Sequence, residues 1–111
     1  MDLAVESYDV TKEFPREEAF GLVSQIRLAA ASVAANIAEG YGRDSTGAYV
    51  HHLKIAQGSL KELETHLILS TRVKMVSEDR VAASMTMAAD IGKMLRALIR
   101  ILQDGRHERD D

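Results

Sequence analysis

The sequence predicts an all-α fold: an antiparallel, up-down four-helix bundle whose first helix is short. Three observations carry that expectation. Apolar residues recur in alternating steps of four and three along two long segments, which keeps one face of a helix greasy. Helix-starting Ser, Asp and Pro and helix-ending Gly punctuate the chain between four segments. There is one proline in 111 residues, and the β-branched runs that build sheets are scarce.

The first helix is expected over residues 2–12, with Asp2 at the N-cap. Phe14-Pro15 then interrupts the chain. Proline's fixed φ suits a first helical turn, and Glu17 and Glu18 follow where carboxylates meet the positive helix end. A second helix is therefore expected over residues 15–40. It stops at Glu39-Gly40-Tyr41-Gly42, where glycine can take the left-handed cap conformation.

The third helix is expected over residues 45–73, capped by Ser45. Its seam is Tyr49, Leu53, Ala56, Leu60, Leu63, Leu67 and Ser70, and all but the last are apolar. Ser77 caps a fourth helix with Glu78 and Asp79 in its first turn. That helix carries Val81, Met85, Ala88, Ile91, Leu95, Leu98 and Leu102 and is expected to end at Gly105. Residues 1–105 then make one domain, and 106–111 a polar tail expected to fray. Connections of a few residues between long helices imply antiparallel neighbours.

Composition narrows the function. Cysteine is absent, which excludes disulfides, thiolate catalysis and Cys-ligated metal. Met1 to Glu6 show no basic leader before an apolar run, and no stretch reaches the roughly 18 apolar residues of a membrane span. The expectation is a cytoplasmic protein without a membrane partner. Net charge is −3, whereas nucleic-acid binders usually carry a basic excess.

Two features point to self-association. Twelve of the seventeen residues in 22–38 are apolar, more than one buried stripe requires. Gln25, Ser32, Asn36 and Glu39 fall on a narrow polar line, so one apolar flank is free to meet another subunit or a third neighbour in the same chain. Helix length is the second feature. At 1.5 Å per residue the first helix is roughly 17 Å long and the others roughly 37–42 Å, which leaves about 20 Å of apolar groove uncovered. Gly58 and Gly92, each costing about 1 kcal/mol against Ala in a helix, suggest close helix crossing.

The stretches Phe14-Pro15-Arg16-Glu17-Glu18 and Gly21-Leu22-Val23-Ser24-Gln25-Ile26-Arg27 lead to a distinctive block, Asn36-Ile37-Ala38-Glu39-Gly40-Tyr41-Gly42-Arg43. Gly58-Ser59-Leu60-Lys61-Glu62-Leu63-Glu64-Thr65 follows. Over about residues 8 to 102 the chain resembles small bacterial four-helix-bundle proteins linked to intervening sequences in 23S ribosomal RNA genes. That family includes the accessory variability protein of diversity-generating retroelements. The resemblance implies an up-down bundle assembled as a ring-shaped homopentamer. In the retroelement branch it implies a basic ring that binds nucleic acid beside a reverse transcriptase. This chain departs from that branch in being acidic. The resemblance also implies a structural role for the motif residues Asn36, Glu39, Gly40, Gly42 and Arg43.

The remaining polar residues offer little chemistry. Gly40 and Gly42 near Arg43 could cradle a phosphate at the start of the third helix, or Glu39 and Arg43 could simply pair across one turn. Asn36 is either a ligand-binding amide or, more in keeping with its place, a group satisfying an interface. His51 and His52 are adjacent and point about 100° apart, and His66 lies some 21 Å from His52 along the helix, so no metal site is expected. Glu62 and Glu64 face different sides, and no serine sits in a nucleophile elbow. No catalytic residue and no cofactor is expected.

Two basic stripes stand apart: Lys93, Arg96 and Arg100 on the fourth helix, and Lys54 and Lys61 on the third. With Arg43 they are the candidate nucleic-acid contacts, weighed against ordinary solubilising charge. The leading expectation is a non-catalytic homo-oligomeric scaffold. The alternative is an oligomeric ring acting as a nucleic-acid-binding accessory protein.

Overall fold

The computed structural model describes residues 1–16 and 21–110, with side chains as far as residue 105. These residues form four helices: α1 (Asp2–Thr11), α2 (Leu22–Tyr41), α3 (Thr46–Arg72) and α4 (Glu78–Asp110). Each packs on the next in chain order, and α4 closes the ring against α1. Successive helices run antiparallel. Gly40 near the end of α2 lies beside His52 near the start of α3, while Ser32 meets Ser59 further along both. The rod measures 55 × 21 × 18 Å, its length set by the 33-residue α4. The first helix, at 10 residues, is short as expected.

The seam read from α3 is the spine of the core. Leu53, Ala56, Leu60, Leu63, Leu67 and Ser70 are buried, and Tyr49 at the open end is half-buried. On α4 the burial rotates slightly from the expected line. Val81, Ala88 and Leu95 are buried as expected, but Ser84, Gly92 and Ile99 join them, while Met85, Ile91, Leu98 and Leu102 are half-buried. Ser45 Oγ accepts from the Ala48 amide at 3.1 Å, and Ser77 Oγ accepts from the Arg80 amide at 3.1 Å, so both expected caps are in place.

Four boundaries differ from the sequence expectation. Met1 is the N-cap of α1, which puts Asp2 in the first turn, where its carboxylate still favours the positive helix end. α2 begins at Leu22, capped by Gly21 at φ −106, ψ −111, and not at Pro15. The periodicity runs through a glycine that costs a helix about 1 kcal/mol, and here that glycine marks the boundary. Glu17 and Glu18, expected in the first turn, lie outside the described residues. The third difference is at the end of α2, which closes on Gly42 at φ −82, so no left-handed glycine cap forms there. The left-handed residue is Lys74 (φ 62) after α3, where the Met75 amide donates to the Ser70 carbonyl at 3.0 Å. Finally, α4 passes through Gly105 to Asp110. One glycine with no proline behind it weakens a helix without ending it.

Two arginines anchor the short α1. Arg27 Nε–H donates to Thr11 Oγ1 at 2.8 Å, and its guanidinium lies 4.7 Å from the centre of the Tyr8 ring. From the first turn of α4, Arg80 donates to Glu13 and, at 3.1 Å, to Glu6. Those hydrogen bonds, the Glu13 one foremost, raise the Arg80 pKa. Among the described residues no helix is long and apolar enough to cross a membrane.

Candidate functional site

The polar line expected on α2 does not all face solvent. Gln25 and Glu39 are exposed, but Ser32 and Asn36 turn towards α3. Asn36 Nδ2 donates to the Ser32 carbonyl at 2.9 Å and to Ser32 Oγ at 3.2 Å. Its Oδ1 is left facing His52 Nδ1 at 3.2 Å, an arrangement that puts the proton on Nδ1. Ser32 Oγ in turn lies 2.7 Å from Ser59 Oγ. Asn36 is thus occupied within the bundle, as an interface amide. Its partners His52 and Ser59 were invisible in the sequence, because only the α2–α3 register brings them opposite.

The motif glycines divide in role. A Cβ on Gly40 would stand 2.9 Å from His52 Cβ and 3.3 Å from the Tyr49 carbonyl oxygen, so α2 and α3 approach closely at Gly40. Gly42 is exposed at the corner. Glu39 and Arg43 form an ion pair across one turn, the local pairing their spacing allows. His51 and His52 sit edge to face, 5.6 Å between ring centres. Among the described residues no cluster of three metal-ligating side chains occurs.

The basic candidates separate into three places. Lys54 and Lys61 of α3 and Lys93 and Arg96 of α4 line one groove between those helices, of about 580 Å³. The two stripes read separately from the sequence are therefore the two banks of one channel. Arg100 lies one turn beyond Arg96, exposed and outside the channel, and Arg43 is at the α2–α3 corner. The floor is apolar, built from Leu60, Ala88 and Ala89 with Gly58 and Gly92. Of the four cations only Lys61 has an ion partner among the described residues, Glu64 at 3.6 Å.

The two groove glycines differ from the expectation of close helix crossing. At Gly92 a Cβ would meet Leu60 Cδ2 at 3.5 Å, which is ordinary contact, and at Gly58 it would meet nothing within 4 Å. Packing within the chain does not require Gly58. Gly58→Ala is expected to stabilise the protein by about 1 kcal/mol, the intrinsic helix preference, raising its thermal midpoint by several degrees. A circular-dichroism melt checks this, and a lowered midpoint would show a packing role.

No curated protein matches the chain. Its structure is similar to the crystal structure of a protein of unknown function from the S23 ribosomal protein family of Bacteroides thetaiotaomicron. The two share 24% sequence identity, with a TM-score of 0.79, over 88% of this chain and 92% of that one. At that identity the likeness speaks for the fold. The family model for the 23S rRNA-intervening sequence protein matches residues 1–97, a span that takes in all of α1, α2 and α3, the motif block and both banks of the groove. With four antiparallel helices, a short first one and the Asn36–Arg43 block at the α2–α3 corner, the chain belongs to the 23S rRNA-intervening sequence protein family.

Proposed function

We propose that this protein is a non-catalytic scaffold that assembles with copies of itself through the outer face of α2. The observation that supports it is the stripe Leu28, Ala31, Ala35 and Ala38, exposed throughout, with Leu28 at 69%. These residues follow steps of three and four, so they form one line about 15 Å long. No charged side chain interrupts it. A lone exposed leucine is unremarkable, but a continuous charge-free stripe of small residues lets a second helix approach closely. Among the described residues the bundle supplies no third neighbour to cover this face, because α2 packs chiefly on α1 and α3. Five copies, the number the family resemblance implies, is the expected assembly.

The nucleic-acid reading would use the groove cations. It has less support: the floor carries no aromatic ring on which a base could stack, and the whole chain is acidic at −3. Light scattering on the intact protein at micromolar concentration tests the proposal. Wild type is expected at a multiple of 12.2 kDa, and the double variant Ala31→Glu/Ala35→Glu at the single-chain mass with its helical spectrum intact. A wild-type mass of one chain sinks the idea.

A further inference from the structure

We propose that the groove between α3 and α4 is a docking site for an acidic amphipathic helix from a partner protein. Three observations converge on it. The first is the notch at Gly58. A glycine in the middle of a 27-residue helix is costly, and neither backbone conformation nor internal packing demands this one, since its φ is ordinary and a Cβ would touch nothing. What its bare backbone does provide is room for something outside the chain to come close. Gly92 stands across the groove on α4, buried beneath Arg96 and Leu60.

Charge is the second observation. Lys54, Lys61, Lys93 and Arg96 gather around one channel in a protein whose net charge is −3. Lys54, Lys93 and Arg96 have no carboxylate within ion-pair distance among the described residues. Arg96 lies back over Gly92, its Nη1 3.4 Å from where a Cβ would stand, so its guanidinium borders the floor directly. Glu64, paired with Lys61, also lines the channel, which is still net positive in an otherwise acidic molecule and complementary to an anion.

The third is the mixture of surfaces. Between the two basic banks the exposed apolar surface is Ala89 and the bare backbone at Gly58, over the buried Leu60 and Ala88, and a phosphate backbone would leave it unused. An amphipathic helix uses both, setting leucine and alanine on the floor and its flanking glutamates against the lysines and Arg96. The α3 bank from Lys54 to Glu64 is about 15 Å long, close to three helical turns, which matches a short docking helix. No residue of the α2 stripe lines the groove.

The test is fluorescence anisotropy with the full chain and three labelled probes. One is a synthetic peptide of about four turns with Leu and Ala on one face and Glu elsewhere. The second has the same composition scrambled so that no apolar face exists, and the third is an RNA hairpin. The amphipathic acidic peptide is expected to bind saturably and at least about tenfold more tightly than its scramble. Gly58→Leu, which fills the notch, and the exposed charge reversal Lys54→Glu/Lys93→Glu are each expected to weaken it about tenfold or more. Circular dichroism confirms that both variants stay folded, and the charge reversal keeps the test valid should Gly58→Leu fail to fold. Equal binding of the scramble, or wild-type affinity in both variants, would overturn the proposal. So would an RNA hairpin that binds in a Gly58→Leu-sensitive way while the peptide does not, because that result assigns the groove to nucleic acid.

Discussion

Leu63→Ala is expected to remove about 2–5 kcal/mol of folding free energy. Leu63 is fully buried, at 0% exposure, on the helix that packs against both α2 and α4. Truncation forfeits the transfer energy of the lost atoms and leaves a cavity that stiff helices refill only in part. A domain of this size holds roughly 5–15 kcal/mol in total, so the loss is a large share. A thermal midpoint lower by about 10 °C or more follows, at about 4–8 °C per kcal/mol for a small domain. Leu69 on the same helix is 43% exposed, and Leu69→Ala is expected within about 1 kcal/mol of wild type. Urea titrations at one fixed protein concentration compare the two, since self-association would make stability depend on concentration. Similar midpoints for both variants would mean that α3 is not the spine described above.

Gly40→Ala is expected to destabilise the protein by about 1–3 kcal/mol, although alanine is the better helix former. The added Cβ would stand 2.9 Å from His52 Cβ, 3.2 Å from Tyr49 Cδ1 and 3.3 Å from the Tyr49 carbonyl oxygen. Two of these neighbours belong to the backbone or are bonded to it, so relief requires α2 and α3 to part at their corner. Parting there also strains the Asn36–His52 hydrogen bond one turn away. Together with Gly58→Ala this makes a sign test: the same chemical change at two helical glycines is expected to move the melting midpoint in opposite directions. A midpoint raised by Gly40→Ala would show that the α2–α3 crossing is looser than the geometry describes.

The α3 seam was readable because its burial depends on one helix's own period. Leu53, Ala56, Leu60, Leu63 and Leu67 would face inward in almost any bundle that used this helix. Ser45 and Ser77 were readable for the same kind of reason, since a cap bonds an amide three residues away. Ser32 and Asn36 were legible as members of a polar line, with Asn36 in an interface role, but their partners were not. Whether a half-polar face is covered depends on the helix opposite, and Ser59 and His52 lie 27 and 16 residues further on in sequence. The same holds for glycine. Composition marks Gly40, Gly58, Gly92 and Gly105 alike, yet one lies at a close crossing, two form a groove floor and one is carried within α4. Lys74 took the left-handed cap expected of a glycine, an outcome set by how the α3–α4 corner closes.

By itself the sequence determined the fold class, the four helices with a short first one, the central seam and the two basic stripes, all of which follow from spacing within a single helix. Only the tertiary structure decided that those stripes face each other across a glycine-floored groove, that Asn36 is already satisfied by its neighbours, and that Leu28, Ala31, Ala35 and Ala38 remain bare. The physical reason is that helical periodicity is local, reaching three or four residues, whereas rotation and register between helices are settled by packing residues far apart in the chain.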